Sequence, residues 1–368
     1  LSTLWLRDAC PCPQCVDPDS GQKNFSTTDL PDNPKIKYAQ LNADGSLTLE
    51  WPNDKLSGGK NHISTFPADE VQSWAVHEQA RGSVVPNEPG CRLLWDRTTY
   101  ESLLNDGRCS LSYDFWMNSD EAFWRVFSDL VETGLIFIYD VPDREQEVER
   151  IARRIGILMH TFYGHTWDVK SKPKAENVAY TSAFLGLHQD LLYYDPVPKL
   201  QLLHCLANSC EGGESLFSNG IRAAYEVKLT NSLHYDVLTR HQNPFYYQKG
   251  EHHYFHRHPT IGGAAKDMYP RSVYWAPPFQ TTFGRFDPQL GRWKAAATRF
   301  QQIVESPRNM VEMKLKPGVC VIFDNRRILH GRRQFAADTG SRWLQGCYIS
   351  PQVYLAKVTE MLAREGRL

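Results

Sequence analysis

The sequence predicts a mainly β protein with flanking helices, of the α+β class, in which a small β-rich unit precedes a larger β-sandwich or barrel. Short apolar runs separated by Gly, Pro and Asn turns dominate the chain from residue 177 onward. This pattern is typical of sandwiches and barrels rather than of parallel α/β sheets. The first 66 residues carry strand and turn signals of their own. We therefore predict two domains, residues 1–92 and 93–368.

The N-terminal domain has clear local signals. Residues 46–51 alternate polar and apolar side chains, as a half-buried strand does, and the Asp-Gly pair before them signals a hairpin turn. Residues 67–80 predict a helix with an acidic first turn. The apolar run at residues 4–6 predicts a strand. Residues 82–90 contain two Pro and two Gly and form the best candidate linker.

The larger domain begins with helices and continues with strands. Residues 120–133 place apolar side chains at helical spacing, Gly134 ends this helix, and residues 135–139 predict a buried strand. A second helix is predicted over residues 143–155. Further strands are predicted at residues 200–206, 215–217, 311–315, 319–323 and 344–349.

The composition is that of a globular protein and argues against several partners. Lys and Arg number 41 and Asp and Glu number 42, so the formal net charge is -1. Neither nucleic acid nor an anionic membrane surface is therefore predicted as the main partner. No apolar run is long enough to span a membrane. Because the chain starts at Leu1 rather than Met, we expect the native N-terminus, with any targeting segment, to be missing.

Cysteine usage predicts a reducing, cytoplasmic environment and one zinc site. Nine Cys is an odd number, and six of them are scattered, mostly among apolar residues. Cys10, Cys12 and Cys15 fall within six residues, and three thiolates at this spacing can occupy three corners of a tetrahedral zinc site. We predict His62 as the fourth ligand and a structural role for the site. Free thiols on a loop are the alternative.

A second candidate metal site joins the His188-Gln189-Asp190 motif to the distant His330. Two histidines and one carboxylate on one face of an octahedron hold a non-haem Fe(II) and leave three positions for a cosubstrate and O2. Residues i and i+2 of an extended strand point the same way, so the motif can present both ligands together. Ordinary polar roles for the two histidines are the alternative.

Arg342, twelve residues after His330, makes the iron hypothesis more specific. A planar guanidinium forms a fork that suits a carboxylate. An enzyme that uses 2-oxoglutarate needs such a cation about one strand beyond its last iron ligand. Ser215, which follows a Gly-Gly turn, is predicted to donate its hydroxyl to the same carboxylate.

Two other histidine motifs are less favoured as metal sites. His234-Tyr235-Asp236 has the spacing of the iron motif but lies in a helix-like stretch, where i and i+2 do not share a face. Residues 252–258 contain four histidines without an acidic or Cys partner nearby, so an exposed or inter-subunit loop is the simpler interpretation.

The chain closely resembles the γ-butyrobetaine dioxygenase and trimethyllysine dioxygenase family, which is TauD-like. The similarity covers residues 158–190, 201–215 and 315–348 and extends over nearly the whole chain. The motifs that carry it are TFYGHTW at 161–167, NVAYT at 177–181, FDN at 323–325, LHGR at 329–332 and WLRD at 5–8. Family members are Fe(II)- and 2-oxoglutarate-dependent oxygenases of carnitine biosynthesis. The resemblance implies a double-stranded β-helix (jelly roll) preceded by a small zinc-bearing domain.

The same resemblance implies roles for individual residues. His188, Asp190 and His330 would be iron ligands, and Arg342 would anchor 2-oxoglutarate. In the family, aromatic residues surround a trimethylammonium group, which has no N–H and is bound by cation–π and dispersion contacts. The matching positions here are Tyr163, Trp167, Tyr180 and Tyr348, which composition alone would assign to the core and rim.

Two further segments correspond to family residues that contact the substrate's carboxylate. Asn177 matches an Asn that contacts the carboxylate in the butyrobetaine enzyme, whereas the trimethyllysine branch prefers an acidic residue there. Residues 273–279, however, depart from an Asn-rich loop of the butyrobetaine enzyme. Their Pro and aromatic side chains cannot replace those amides.

We therefore predict an Fe(II)- and 2-oxoglutarate-dependent dioxygenase, with O2 as cosubstrate and ascorbate as reductant, that hydroxylates γ-butyrobetaine to L-carnitine. The alternatives are trimethyllysine hydroxylation and the hydroxylation, desaturation or cyclisation of another amine or amino acid, for example in secondary metabolism. A binding module without activity is a third hypothesis. The resemblance suggests a homodimer, and the amphipathic run at residues 353–362 is a candidate for its interface.

Overall fold

The computed structural model describes residues 2–77, 93–170, 182–263 and 269–367. The chain divides into two compact units, Leu1–Val85 and Pro86–Leu368. The boundary predicted after residue 92 falls at the end of a stretch outside the described residues, and the predicted linker at 82–90 lies within that stretch. The position of the boundary therefore stays a prediction.

The first unit is a small antiparallel sheet with a helix before it and a helix after it. Its elements are α1 (Thr3–Asp8), β1 (Tyr38–Leu41), β2 (Leu47–Asp54), β3 (Lys60–Phe66) and α2 (Ala68–His77). The central strand β2 pairs with both neighbours. The predicted turn before it contains Gly45, whose φ of 85° is a conformation that glycine adopts without strain. Leu6, Leu49, Trp51 and Phe66 form the core of the unit.

The strand predicted at residues 4–6 is wrong, because these residues lie in α1. An apolar run this short fits the period of a strand or of a helix equally well. The helical conformation buries Leu6 in the core and places the fully buried Arg7 near the cysteine cluster. Packing has therefore decided the local structure.

The second unit contains most of the strands. Its elements, in chain order, are α3 (Arg97–Asn105), β4 (Ser110–Ser112), α4 (Tyr113–Asn118), α5 (Asp120–Thr133), β5 (Leu135–Tyr139), α6 (Glu147–Arg153), β6 (Thr166–Lys170), β7 (Leu185–His188), β8 (Leu200–Asn208), β9 (Glu211–Gly212), β10 (Ser215–Asn219), α7 (Gly220–Thr230), α8 (Ser232–Arg240), β11 (Gln242–Lys249), β12 (His252–Pro259), β13 (Ile261–Gly262), β14 (Ser272–Val273), α9 (Leu290–Val304), β15 (Met310–Met313), β16 (Cys320–Asp324), β17 (Ile328–Arg332), β18 (Phe335–Ala336), β19 (Arg342–Ile349) and α10 (Pro351–Arg364).

Two facing sheets form the body of this unit. The large sheet has the strand order β4-β5-β16-β8-β19-β6, and the small sheet has the order β15-β10-β17-β7. Their pairings are antiparallel except for that of β4 with β5. Phe217 of the small sheet meets Phe323 of the large sheet, with ring centroids 5.8 Å apart. The predicted jelly roll with flanking helices is confirmed.

Helices cover the outer face of the large sheet. Helix α5 begins at the Ser119 cap, which accepts a hydrogen bond from the Ala122 N–H, and ends at Gly134 with a φ of 78°, as predicted. Its apolar side chains join the main core, and so does the apolar face of α10, including Val358 and Met361. Because α10 buries this face within its own unit, residues 353–362 lose their value as evidence for a dimer interface.

Helices α7, α8 and α9 form a second core with the small sheet, to which Leu216 and Leu329 contribute. The predicted helix at 143–155 is shorter in the structure, where α6 covers Glu147–Arg153. Among the described residues, no helix combines the length and the apolar character that crossing a membrane requires.

Candidate active site

A pocket lies between the two sheets of the second unit. Strands from both sheets contribute side chains that face it, as expected when i and i+2 residues of facing strands point inward. Its lining residues are Tyr163, Trp167, Val169, Leu185, His188, Asp190, Leu191, Tyr193, Gln201, Leu203, Ser215, Phe217, Phe279, His330, Gly331, Arg332, Arg342, Leu344 and Tyr348. Most of the polar residues predicted for the catalytic site are therefore in one cavity.

The structure brings His188, Asp190 and His330 together. His188 ends β7 and is the register partner of His330 on β17, so strand pairing sets the two imidazoles side by side. Asp190 Oδ1 lies 3.3 Å from His188 Nε2 and 3.9 Å from His330 Nε2. The ligand atoms of the three residues lie within 4.8 Å of one another. Two nitrogens and one carboxylate at this spacing suit a divalent transition metal such as Fe(II).

The surroundings keep the three groups in ligand form. His188 Nδ1 lies 2.9 Å from the Gly186 carbonyl oxygen, which only accepts, so Nδ1 donates to it and Nε2 is the ring nitrogen that faces Asp190. Burial, together with His188, lowers the pKa of His330 to about 3, so this imidazole is neutral. Burial alone would raise the pKa of Asp190, but His188, His330 and the Tyr348 hydroxyl hold it well below its usual range.

Asp190 is held by Tyr348, which was predicted only as a cage aromatic, and by Gln201 and Asn325, for which the sequence analysis predicted no role. Its Oδ2 accepts hydrogen bonds from Gln201 Nε2 and Tyr348 OH, both at 2.8 Å. Asn325 accepts from the Asp190 N–H and donates to the Asp190 carbonyl, each at 3.0 Å. One sequence signal existed for Gln201, since it is a single amide within the apolar run of β8.

Arg342, at the start of β19, is a buried cation that faces the pocket with 9% of its surface exposed. Within the part of the chain that the structure describes, its side chain forms no hydrogen bond or ion pair, and its buried Nε is unsatisfied. Burial lowers its pKa. The guanidinium lies over the ring of Phe335, 5.7 Å from its centroid, and has no anionic partner among the described residues. A buried guanidinium without an anion fits the carboxylate of a bound ligand such as 2-oxoglutarate. Ser215 lines the same pocket from the small sheet.

Three of the four predicted cage aromatics line the pocket. Trp167 stacks on Tyr348 with centroids 5.3 Å apart, and Tyr163 lies 6.3 Å from Trp167. The structure adds two rings that the sequence analysis did not predict, Tyr193 and Phe279, which lie 5.9 Å apart. The remaining predicted substrate residues, Asn177 and Tyr180, lie outside the described residues.

The segment at 273–279 borders the pocket, as its departure from the family pattern suggested. The backbone N–H of Trp275 donates to Gln189 Oε1, and its carbonyl accepts from the Gln189 N–H, each at 2.9 Å. These bonds attach the segment to the middle residue of the His188-Gln189-Asp190 motif. A short 3-10 turn, Pro277–Phe279, then places Phe279 in the pocket wall.

The two less favoured histidine motifs stay apart from metal-ligand clusters. His234 and Asp236 lie on α8. The four histidines of residues 252–258 lie on β12, which pairs with β11 in a hairpin, so the loop predicted for this segment is wrong. Throughout the described ranges, the groups with metal-ligand geometry are the His188 triad and the cysteine cluster.

The cysteine cluster lies in the first unit and includes His62 of β3. His62 Nε2 lies 3.2 Å from Cys10 Sγ, 3.7 Å from Cys12 Sγ and 3.6 Å from Cys15 Sγ. Its Nδ1 lies 3.1 Å from Ser57 Oγ. Four soft ligands around one point suit a tetrahedral zinc.

Arg7, which the sequence analysis did not assign to the site, supports this cluster. It donates to Cys15 Sγ at 3.3 Å and forms a bidentate pair with Asp54, at 2.7 and 3.0 Å. A cation beside the cluster offsets the negative charge that three thiolates bring to a zinc.

Comparison with known proteins finds dioxygenases that align with nearly the whole chain. The chain is 34% identical over 360 residues, 94% of this chain and 81% of the relative, to "Dioxygenase str8" of Strobilurus tenacellus. It is 28% identical over 361 residues to the gamma-butyrobetaine dioxygenase of Pseudomonas sp. (strain AK-1), covering 96% of this chain and 88% of the relative. The mitochondrial trimethyllysine dioxygenase of Rattus norvegicus is 26% identical over 367 residues, with 94% and 79% covered.

These likenesses show that the protein is a 2-oxoglutarate-dependent dioxygenase. The sequence profile of the taurine catabolism dioxygenase TauD, TfdA family matches residues 100–348. The chain therefore belongs to that family. The profile of gamma-butyrobetaine hydroxylase-like N-terminal domains matches residues 1–59. The predicted class of enzyme and its relationship to the butyrobetaine and trimethyllysine enzymes are confirmed.

Proposed function

We propose that His188, Asp190 and His330 hold Fe(II) and that Arg342, with Ser215, binds the distal carboxylate of 2-oxoglutarate. The observation that carries this proposal is the presence, in one pocket, of a compact two-histidine, one-carboxylate group and of a buried Arg342 that has no anionic partner among the described residues. The ligand group offers the atoms that a metal requires, and the cation offers a binding partner for one carboxylate of a dicarboxylate cosubstrate.

The side chains have separate tasks in this reaction. Bound Fe(II), 2-oxoglutarate and O2 together supply an oxidant that is strong enough for an unactivated C–H bond. The imidazoles of His188 and His330 offer neutral nitrogen lone pairs, and Asp190 offers a negative oxygen. Arg342 orients the cosubstrate from the opposite end of the pocket, and the aromatic walls exclude water and position the substrate.

For the substrate, we propose the cationic compound γ-butyrobetaine, which would be hydroxylated to L-carnitine. Tyr163, Trp167 and Tyr348 form an aromatic wall within the pocket, and such rings attract a trimethylammonium group. Tyr180 and Asn177 are proposed to complete the site. The similarity to gamma-butyrobetaine dioxygenases over 96% of this chain supports the same substrate.

Mass spectrometry of an aerobic reaction with Fe(II), 2-oxoglutarate, ascorbate and γ-butyrobetaine tests both parts of the proposal. We expect a product heavier by one oxygen, formed with an equal amount of succinate. Asp190→Ala should abolish succinate formation, and unchanged succinate in this variant would overturn the ligand assignment. Succinate without a heavier product would instead overturn the substrate assignment while leaving the iron site intact.

A second candidate substrate is another amine or amino acid. Phe279 is the side chain that residues 273–279 contribute to the pocket, and a phenyl ring offers no hydrogen bond to a substrate carboxylate. Trimethyllysine belongs to this second group, as do substrates that are desaturated or cyclised. The product mass separates these outcomes, because hydroxylation adds one oxygen and desaturation removes two hydrogens.

For the first unit we propose a structural zinc held by Cys10, Cys12, Cys15 and His62. The homodimer and the cytoplasmic location also stay proposals, supported by the family resemblance and by the free, buried thiols of the described residues. Light scattering during gel filtration tests the dimer: a mass of about 84 kDa, twice the 42.2 kDa of the chain, is expected.

A further inference from the structure

The two oxygens of Asp190 have different environments. Oδ1 faces the imidazoles of His188 and His330. Oδ2 points toward the large sheet, where it accepts the two hydrogen bonds from Gln201 and Tyr348. These two donors are register partners on the adjacent strands β8 and β19, so the sheet itself sets their spacing.

The burial of Gln201 at this position lowers the stability of the fold. It is fully buried, and its Oε1 has no hydrogen-bond partner among the residues that the structure describes. An unsatisfied buried acceptor costs about 1–3 kcal/mol. Rotating the amide would turn Oε1 toward a carboxylate, which also only accepts, so the Nε2 contact to Asp190 is the favourable arrangement.

Tyr348 contacts the aromatic wall of the pocket as well as Asp190. Its ring forms part of the aromatic wall, stacked on Trp167, while its hydroxyl reaches Asp190. A carboxylate oxygen only accepts, so the phenol is the donor in the 2.8 Å contact with Oδ2. The same side chain therefore contacts both the substrate wall and a proposed metal ligand.

We propose that Gln201 and Tyr348 are positioning residues that occupy Oδ2 of Asp190 and thereby direct Oδ1 alone toward the metal. The inference rests on the proposed role of the triad. Without these donors, the carboxylate would be free to rotate and to present both of its oxygens to the metal. Coordination through Oδ1 alone would then no longer be enforced. Removal of a hydrogen-bond partner of a metal ligand typically lowers metal affinity or activity about 10–100-fold.

Metal affinity measured without turnover tests this inference. Mn(II) binding is followed by electron paramagnetic resonance on the full chain, with one equivalent of zinc present so that the cysteine cluster does not compete. We expect Tyr348→Phe and Gln201→Met each to raise the Kd for Mn(II) about tenfold. Tyr193→Phe is the matched control: it removes a hydroxyl from the same pocket but from a tyrosine whose side-chain hydrogen bond is to Tyr163.

The possible results have distinct meanings. Weaker Mn(II) binding in Tyr348→Phe and Gln201→Met, with the Kd of Tyr193→Phe within twofold of wild type, supports the inference. Equal binding in all four proteins overturns it, as does equal weakening in the Tyr193 control, which would show a general disturbance of the pocket. If the wild type binds no Mn(II), the proposed metal site itself is wrong. Should one variant fail to fold, the other still decides the question.

Discussion

The half-buried Asp190 and the buried Arg342 carry charges of opposite sign in one pocket, and their surroundings differ. Asp190 has hydrogen-bond donors and histidines around it, so its charge is stabilised before any ligand arrives. Arg342 has no such partner among the described residues. An unpaired buried charge lowers stability, so the pocket gains when an anion enters it.

This difference predicts opposite effects of Arg342→Met on stability and binding. The variant should unfold at a higher temperature than the wild type when both lack ligands, because a buried unpaired cation is removed. Its Kd for 2-oxoglutarate should rise about a hundredfold, as expected when two charge-assisted hydrogen bonds of about 1.5 kcal/mol each are lost. Calorimetry measures both quantities, with Mn(II) present for the binding titration.

Arg333→Met provides the control for this experiment. Arg333 is 42% exposed at its side chain and pairs with Glu312 on the surface. Such surface pairs contribute about 0–1 kcal/mol, so both quantities should stay near the wild-type values. A lower melting temperature in Arg342→Met would contradict the interpretation of Arg342 as an unpaired charge.

The residues predicted for the catalytic site lie together in the structure, whereas Gln201, which contacts one of them, was not predicted. His188, Asp190, His330 and Arg342 belong to residue types whose chemistry is specific, and the structure places all four in one pocket. The role of Gln201 could not be predicted in the same way. It depends on β8 lying beside β19, which is a long-range property of the fold rather than of the local sequence.

Strand β19 shows how pairing between elements shapes the aromatic wall of the pocket, which is proposed to bind the substrate. Gly346 of β19 is the register partner of Trp167 on β6. A Cβ at Gly346 would lie 2.6–2.9 Å from atoms of the Trp167 ring. The absence of a side chain at this one position lets the indole lie flat beside the sheet and stack on Tyr348.

Gly346→Ala should therefore disturb the aromatic wall. We expect a loss of about 1–3 kcal/mol in the free energy of unfolding, as in other overpacked cores, and an increase of about tenfold in the KM for the cationic substrate. The KM for 2-oxoglutarate should change little, since Arg342 is untouched. Steady-state kinetics and chemical denaturation give these values.

Gly284→Ala is the comparison for this variant, because nothing lies within 4 Å of a Cβ placed there. An unchanged substrate KM in Gly346→Ala would show that Trp167 does not form part of the substrate wall.

The β11–β12 hairpin is attached to its unit partly through His258. This residue is buried, and its ring stacks on Tyr274 with centroids 4.3 Å apart. Burial, followed by the nearby His256, lowers the pKa of His258 to about 4, although Asp195 acts in the opposite direction. The imidazole is therefore neutral in the folded protein at neutral pH.

Acid should weaken the protein through His258. In the unfolded chain its pKa is about 6.5, so between pH 6.5 and 4 the unfolded state binds more protons and stability falls as the pH falls. The full effect is about 3 kcal/mol. His258→Phe keeps a stacking ring and should flatten this part of the profile. Urea denaturation at several pH values measures the slope.

The exposed His253 on the same strand gives the control, since His253→Phe should leave the slope as in the wild type. If His258→Phe loses stability as steeply as the wild type over this interval, other groups cause the acid sensitivity.

Element prediction succeeded where a long periodic pattern exists. Helix α5 was predicted with the bounds that it has, because fourteen residues carry the period, the cap and the final glycine. The strand predicted at residues 4–6 is a helix because three apolar residues do not define a period. Helix α6 begins later than predicted, since Asp143 to Gln146 precede it as a loop.

At the scale of the whole molecule, the two units depend on different sources of stability. The second unit has large apolar cores on both sides of its sheets. The first unit has a core of four buried residues, which is small for independent folding. A bound zinc would add the stability that this core does not supply.

Zinc removal should therefore affect one unit selectively. In Cys15→Ala, or after chelation, we expect faster amide hydrogen exchange in residues 2–66 and unchanged exchange in β8, β16 and β19. Mass spectrometry of deuterium uptake gives this comparison. Cys210→Ala removes a buried thiol from the second unit and should leave the first unit as protected as in the wild type. Equal exchange in wild type and Cys15→Ala would contradict a structural zinc.

The pocket between the sheets also constrains how this chain can evolve. The histidines of the triad come from strands of the small sheet, whereas the donors to Asp190 come from strands of the large sheet. A substitution that changes the spacing between the sheets alters both sets of contacts at once. Phe279 reaches the pocket wall from a 3-10 turn that belongs to neither of these sheets. A substitution at this one position can therefore reshape the wall while the distance between the sheets stays the same.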